Sequence, residues 1–164
     1  MRTIREVDVR AVALPVTGTF RFASGSAGAA GERAVLVLVR VVDSEGCHGW
    51  GEGRPMPQWA YETAETAVAA IRHHLGPAVL GVSVTDRWDL HRRMHAAIGR
   101  GPSTGLPVAK AAVDMAMHDL CARAAGLPLR CLVGGGLARR TVALSHTVTA
   151  HDPGAVREEV AEAR

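Results

Sequence analysis

A single lysine, Lys110, stands in a chain of 164 residues. Any chemistry that needs a lysine must use that side chain or one outside this sequence. Aromatic residues are almost as scarce: two phenylalanines, one tyrosine and three tryptophans make up 4% of the chain. The net charge is only +3, with the arginines scattered among Asp and Glu rather than gathered into a run. Neither a basic stripe nor aromatic interleaving is present, which argues against nucleic-acid binding. The cysteines number three, Cys47, Cys121 and Cys131, with no close pair of metal-ligand spacing. An odd count without pairs argues against a disulfide framework and suits a reducing compartment. No apolar run approaches the roughly 18 to 20 residues of a membrane helix, and the start, Met1-Arg2-Thr3-Ile4-Arg5-Glu6, has no secretion-type apolar stretch. The expected location is the cytoplasm, with no membrane partner.

What the chain does have is 48% hydrophobic residues, enough for one core. Ile4 to Leu14 alternates imperfectly and reads as a strand. Ala34 to Val42, "AVLVLVRVV", is a stronger β-run. Asp43-Ser44-Glu45-Gly46 is turn chemistry, and His48 to Glu52 reads as the returning strand. These predict a three-stranded antiparallel meander. Helical spacing follows in Ala60, Ala64, Ala67, Val68, Ile71 and Leu75, with a stop expected at Gly76-Pro77 because proline lacks an amide. Leu90, Met94, Ala97 and Ile98 mark a second helix. A third, from about Pro107 to Ala125, is apolar around so much of its circumference that it is expected to lie between two packed layers. Thr141 to Val148 then reads as a strand and Pro153 to Arg164 as a helix. One strand and one helix after an α+β domain make an unfinished architecture, so the expectation is the N-terminal part of a longer protein.

Several residue groups carry possible chemistry. Asp114, His118 and Cys121 lie at i, i+4 and i+7 of the third helix and could converge on an ion. Their apolar surroundings and the unusual Asp-His-Cys set favour a structural role instead, with Asp114 and His118 hydrogen-bonded to a packed neighbour. His91 and His95 share the spacing of zinc-protease helices but lack the glutamate between them, so they read as a solvated face. His73 and His74 point about 100° apart. "GSAGAAG", Gly25 to Gly31, and the glycines 134 to 136 lack the Gly-Lys-Ser/Thr ending of a phosphate loop and read as loops. Phe20 and Phe22 bracket Arg21 just before the first of these. Two readings stand for that trio: a lid over a small anionic ligand, or the anchored end of a hairpin. Glu52 in "GWGEG" has no partner carboxylate and reads as a hydrogen-bonding residue at a domain junction.

In order along the chain, "GWGEG" at 49 to 53, "AAVDMAMHDLCARAAGLPLRCLVGG" at 111 to 135 and the following strand resemble the mandelate racemase and muconate lactonising branch of the enolase superfamily. The resemblance implies an α+β fold: a meander followed by a helical bundle, forming a capping domain over residues 1–132. Residues 133–164 would begin a TIM-type barrel, of which a complete example needs about 250 residues. It implies a small carboxylate substrate, a Mg2+ ion held by three acidic strand ends, and a lysine or histidine base that removes the proton α to the carboxylate. The base lysine of such enzymes stands in a Lys-x-Lys pair on the second barrel strand, so neither it nor the metal ligands carry over to this chain. What carries over is the cap's role in choosing substrate, through the loops Gly18 to Ala30 and Gly53 to Tyr61. Phe20, Arg21, Phe22 and Trp59, with Thr147 near the top of barrel strand one, are the implied pocket-lining residues. His118 stands where many relatives carry a tryptophan, which adds to its structural reading. The full-length protein would be a homo-oligomeric isomerase or lyase, and the 164-residue chain alone would be inactive. The alternative is a stand-alone ligand-binding or oligomerisation module derived from such an enzyme.

Overall fold

A computed structural model describes residues 1–17, 20–22, 25–99, 101, 105–134, 141–148, 150 and 152–163, with the backbone alone for 20–22 and 25–27. The chain divides into two compact units. The first is Met1–Ala13 with Val35–Ala138, and the second is Leu14–Ala34 with Arg139–Arg164.

The meander forms as expected. Strands β1 (Ile4–Pro15), β4 (Arg33–Asp43) and β5 (His48–Gly53) make a sheet in the order β1-β4-β5. β4 and β5 pair antiparallel from Val37↔Gly53 to Val42↔His48. Their turn is built by Asp43, whose buried carboxylate accepts the amides of Glu45 and Cys47 at 2.9 Å each. Gly46 supplies the positive φ of +84° that the turn requires. From Leu36 to Asp43 burial alternates along β4, and Val37, Val39 and Val41 all face the core. Between the first and second of these strands, β2 (Phe20–Phe22) and β3 (Gly25–Gly28) pair antiparallel with a bulge after Phe20. The expected glycine loop is thus a loop only beyond Gly28: its first four residues complete a short ribbon, whose partner the glycine spacing alone does not reveal.

The helices follow as α1 (Pro57–Ala60), α2 (Ala64–Ala70), α3 (Gly76–Val79), α4 (Arg87–Ala97), α5 (Pro107–Ala124), α6 (Leu129–Gly134) and α7 (Pro153–Glu162). Gly76-Pro77 does not stop the first long helix. A π-helical turn, Ile71–Leu75, widens the backbone so that the Gly76 amide reaches the Ile71 carbonyl, and α3 carries the helix on to Val79. Widening the turn frees the chain from needing the amide that proline lacks. α4 begins on Asp86, whose carboxylate caps the Asp89 amide at 2.9 Å. α6 is an element the sequence does not announce; at six residues after a Gly-Leu-Pro turn it shows no periodicity to read.

The core belongs to the first unit. Ile4, Val9, Ile71, Leu75, Val79, Leu90, Met94, Met117 and Leu120 are all buried around the three inward valines of β4. Each such side chain contributes roughly 1.5 to 3 kcal/mol on burial. α5 lies between the sheet and the other helices, with Ala109, Ala112, Val113, Ala116, Met117, Leu120 and Ala122 buried. In the second unit no described residue is buried. Residues 141–148 are exposed and form no strand. A strand exists only as part of a ladder, and no partner strand is among the described residues.

Candidate functional site

The sequence motif "GWGEG" acquires a physical meaning from α5. A Cβ placed on Gly51 would lie 2.0 Å from the Ala112 carbonyl oxygen, and one on Gly49 would lie 2.2 Å from the Leu120 amide nitrogen. Glycine at every second position of β5 lets the helix backbone rest on the strand backbone. The same helix closes the outer edge of β5, where the Asp119 carboxylate accepts the Trp50 amide at 2.9 Å and the Arg123 guanidinium at 2.8 Å.

Trp59 sits on the segment that leaves this strand. Gly53, the last residue of β5, is pressed against α5, its would-be Cβ 3.0 Å from Val108 Cγ1 and 3.4 Å from the Ala112 Cβ. The chain then runs out through α1, where Trp59 is 55% exposed, and turns back at Tyr61 in a left-handed conformation with φ +57°. Glu62 returns it to α5. This carboxylate is buried at 1% exposure and accepts two amides of the first turn, Val108 at 2.7 Å and Ala109 at 2.9 Å. Anionic oxygens facing the free amides of a helix start are favourable in both hydrogen bonding and dipole terms. Sequence reasoning passes over Glu62, because an isolated glutamate before a helix carries no sign of burial.

Of the other implied pocket residues, Phe20, Arg21 and Phe22 form β2, and their side chains lie outside the described atoms. Thr147 lies in the exposed segment 141–148. These four belong to the second unit and Trp59 to the first.

Asp114, His118 and Cys121 do not converge. His118 Nδ1 donates to its own helix at the Asp114 carbonyl, 2.9 Å away, and Nε2 accepts from Arg87 at 3.2 Å. A guanidinium can only donate, so the ring proton sits on Nδ1 and both nitrogens are engaged. His91 Nε2 donates to Asp114 Oδ1 at 2.8 Å, tying α4 to α5. The structural role expected for Asp114 and His118 is therefore what the geometry shows. The face expected to be solvated at His91 and His95 is only partly so: His91, its side chain 43% exposed, is also the packed neighbour that satisfies Asp114, and His95 Nδ1 donates within the helix to the His91 carbonyl at 2.8 Å. On the same helix, the bond from Arg92 holds the Asp89 carboxyl below its usual range; burial opposes this, while Arg93, donating at 2.8 Å, adds to it.

Beside this network an open groove of about 570 Å³ is lined by Leu38, Trp50, Glu52, Met115, His118 and Val133, among others. The Glu52 carboxylate has no hydrogen bond among the described residues; it lines the groove. Lys110, buried at 7%, donates through Nζ to the Ile98 carbonyl at 2.5 Å, a role inside the helical layer. Among the described residues no group of three or more His, Cys, Asp or Glu side chains is placed to hold a metal ion. The side chains described therefore do not fit a magnesium site.

Residues 4–134 match the family described as mandelate racemase / muconate lactonizing enzyme, N-terminal domain. The L-Ala-D/L-Glu epimerase of Bacillus subtilis (strain 168) is 34% identical over 154 residues, which span 93% of this chain and 38% of the epimerase. A chloromuconate cycloisomerase of Pseudomonas putida is 36% identical over 124 residues, spanning 73% and 32%. Among solved structures, the N-succinyl Arg/Lys racemase of Bacillus cereus ATCC 14579 superposes with a TM-score of 0.82 at 27% identity, over 98% of this chain and 41% of that one. A dipeptide epimerase of Enterococcus faecalis V583, complexed with Mg and the dipeptide L-Leu-L-Tyr, gives 0.70 at 32% identity, over 81% and 35%. The chain thus spans less than half the length of each of these proteins, and they are isomerases. It belongs to the mandelate racemase and muconate lactonizing enzyme family, as that family's N-terminal domain.

Proposed function

We propose that this chain is the capping segment of a magnesium-dependent, cytoplasmic enzyme that removes the proton α to a carboxylate. The reaction would be a racemisation or epimerisation, a cycloisomerisation or a dehydration of a small carboxylate. The observation that carries this reading is the match over residues 4–134 to a domain whose relatives are named as epimerases and cycloisomerases. Residues 1–132 serve as the cap, and 133–164 begin the barrel that in such enzymes carries the base and the metal carboxylates.

The cap's own contribution is selection and shielding. Arg21 offers a fork of donors suited to a substrate carboxylate. Phe20, Phe22 and Trp59 supply apolar surface that excludes water and reads the substrate's side chain, and Thr147 supplies a hydroxyl. Trp59 supports this by its place on a short helix at the loop's tip, where it is 55% exposed. None of these residues moves the α-proton.

The test uses the protein in which this chain is followed by its natural continuation. That continuation is expected to hold a Lys-x-Lys strand within about one further βα unit and three spaced acidic strand ends. Exchange of the α-proton in deuterated water is then followed over a panel of dipeptides, N-acyl amino acids and muconolactones, with magnesium present. Trp59→Ala is expected to lower kcat/KM by roughly 10- to 100-fold for the preferred substrate and far less for others. A continuation with neither motif, or exchange rates indifferent to Trp59, Arg21 and Phe22 alike, overturns the proposal.

A further inference from the structure

We infer that Glu62 is the positioning residue for Trp59: it fastens the segment 54–61 to the first turn of α5 so that the indole is carried on a closed, two-ended loop. The inference rests on the reading of Trp59 as pocket-lining, and it adds the device that holds that residue in place.

Three observations converge on one junction. The loop's outgoing end, Gly53, lies against Val108 and Ala112, and its returning end, Glu62, accepts the amides of Val108 and Ala109. Both ends therefore meet the same stretch of helix. A loop whose ends are held together moves as a body rather than residue by residue. Second, the fastening is fully buried, with Glu62 at 1% exposure. A carboxylate taken out of water must keep its partners, so the junction is costly to open. Third, the two non-glycine residues of positive φ among those described, Tyr61 at +57° and Leu106 at +55°, flank this junction, one before Glu62 and one before Pro107. Left-handed backbone at such residues persists only where the surroundings dictate it. α1 is a single turn with no capping side chain and no buried residue, and Pro55, just beyond the outgoing end, is buried.

The test needs neither substrate nor metal. In a background of Trp50→Phe and Trp88→Phe, both at exposed positions, Trp59 is the sole indole. Amide hydrogen exchange and acrylamide quenching are compared for that parent, Glu62→Gln and Glu62→Ala. The glutamine substitution keeps the shape but turns one acceptor into a donor facing an amide, so it loosens the junction without emptying it. Exchange across 54–61 is expected to rise about tenfold and Trp59 quenching to increase about twofold, while β4 and β5 exchange as before. Acceleration confined to 107–110, with 54–61 and Trp59 unchanged, would make Glu62 a helix cap and nothing more. Uniform acceleration along the whole chain overturns the inference too, and if the alanine variant does not fold, the glutamine variant decides. Because the readout is the loop itself, this proposal and the substrate role of Trp59 can fail separately.

Discussion

At Gly49 and Gly51 the fold depends on the absence of a side chain. The Ala112 carbonyl oxygen and the Ala116 amide nitrogen would lie 2.0 and 2.6 Å from a Cβ on Gly51, and both are helix backbone that cannot yield without moving α5. Gly51→Ala is therefore expected to cost about 3 kcal/mol or more, beyond the usual range for overpacking because no side chain can rotate away. Gly46→Ala is the control: its φ is +84° but nothing lies within 4 Å, so only the left-handed strain of roughly 1 to 2 kcal/mol is incurred. Urea unfolding of the two variants checks the difference, and equal losses would refute the close-approach account. The alternation of glycines is visible in "GWGEG", and period two on a strand is the signal of a near backbone. What the sequence does not show is which backbone, because α5 begins more than fifty residues later. Glu62 is the opposite case: its burial follows from a distant helix end and leaves no local trace.

Among the elements, α4 and α5 are joined by charge as well as by apolar packing. Asp114 accepts from His91 across the helix pair at 2.8 Å, and its second oxygen lies 3.4 Å from His118 Nδ1. Asp114→Ala leaves the half-exposed His91 without its acceptor, and a loss of about 1 to 2 kcal/mol is expected. Asp114→Asn, which keeps an acceptor oxygen, should recover roughly half of it. A thermal melt that does not separate these variants would show the bond contributes nothing. The long helices are legible because their apolar positions recur over three or more turns, as in α5. The π-turn at Ile71–Leu75 is not, since glycine followed by proline normally ends a helix, whereas here the Gly76-to-Ile71 bond and the burial of Ile71, Leu75 and Val79 in the core go with the widened turn. The partner of Asp114 escapes the sequence for a related reason. His91 stands beside Arg92 and Arg93, and neighbours in sequence suggest solvent where the helix crossing brings a carboxylate.

For the molecule as a whole, the two units differ in what holds them. Every residue of the buried core lies in Met1–Ala13 or Val35–Ala138, and no described residue of the other unit is buried. α7 has no buried residue and is organised by its own N-terminus, where Asp152 caps Gly154 and Ala155 at 3.0 Å each. Cooperative stability comes from buried apolar area, so segments without it open at little free-energy cost. A chain ending at Ala138 is accordingly expected to unfold with a midpoint within about 2 °C of the 164-residue chain, because removing an element that contributes no core removes little enthalpy of unfolding. Hydrogen exchange in the longer chain should show 141–148 at nearly unprotected rates while Val37–Val42 exchange only with global unfolding. A midpoint drop of about 5 °C or more on truncation would mean that α7 or the segment before it is bound into the cooperative core after all. The boundary at which protection vanishes would then locate where the capping domain ends, independently of the family match that closes at residue 134.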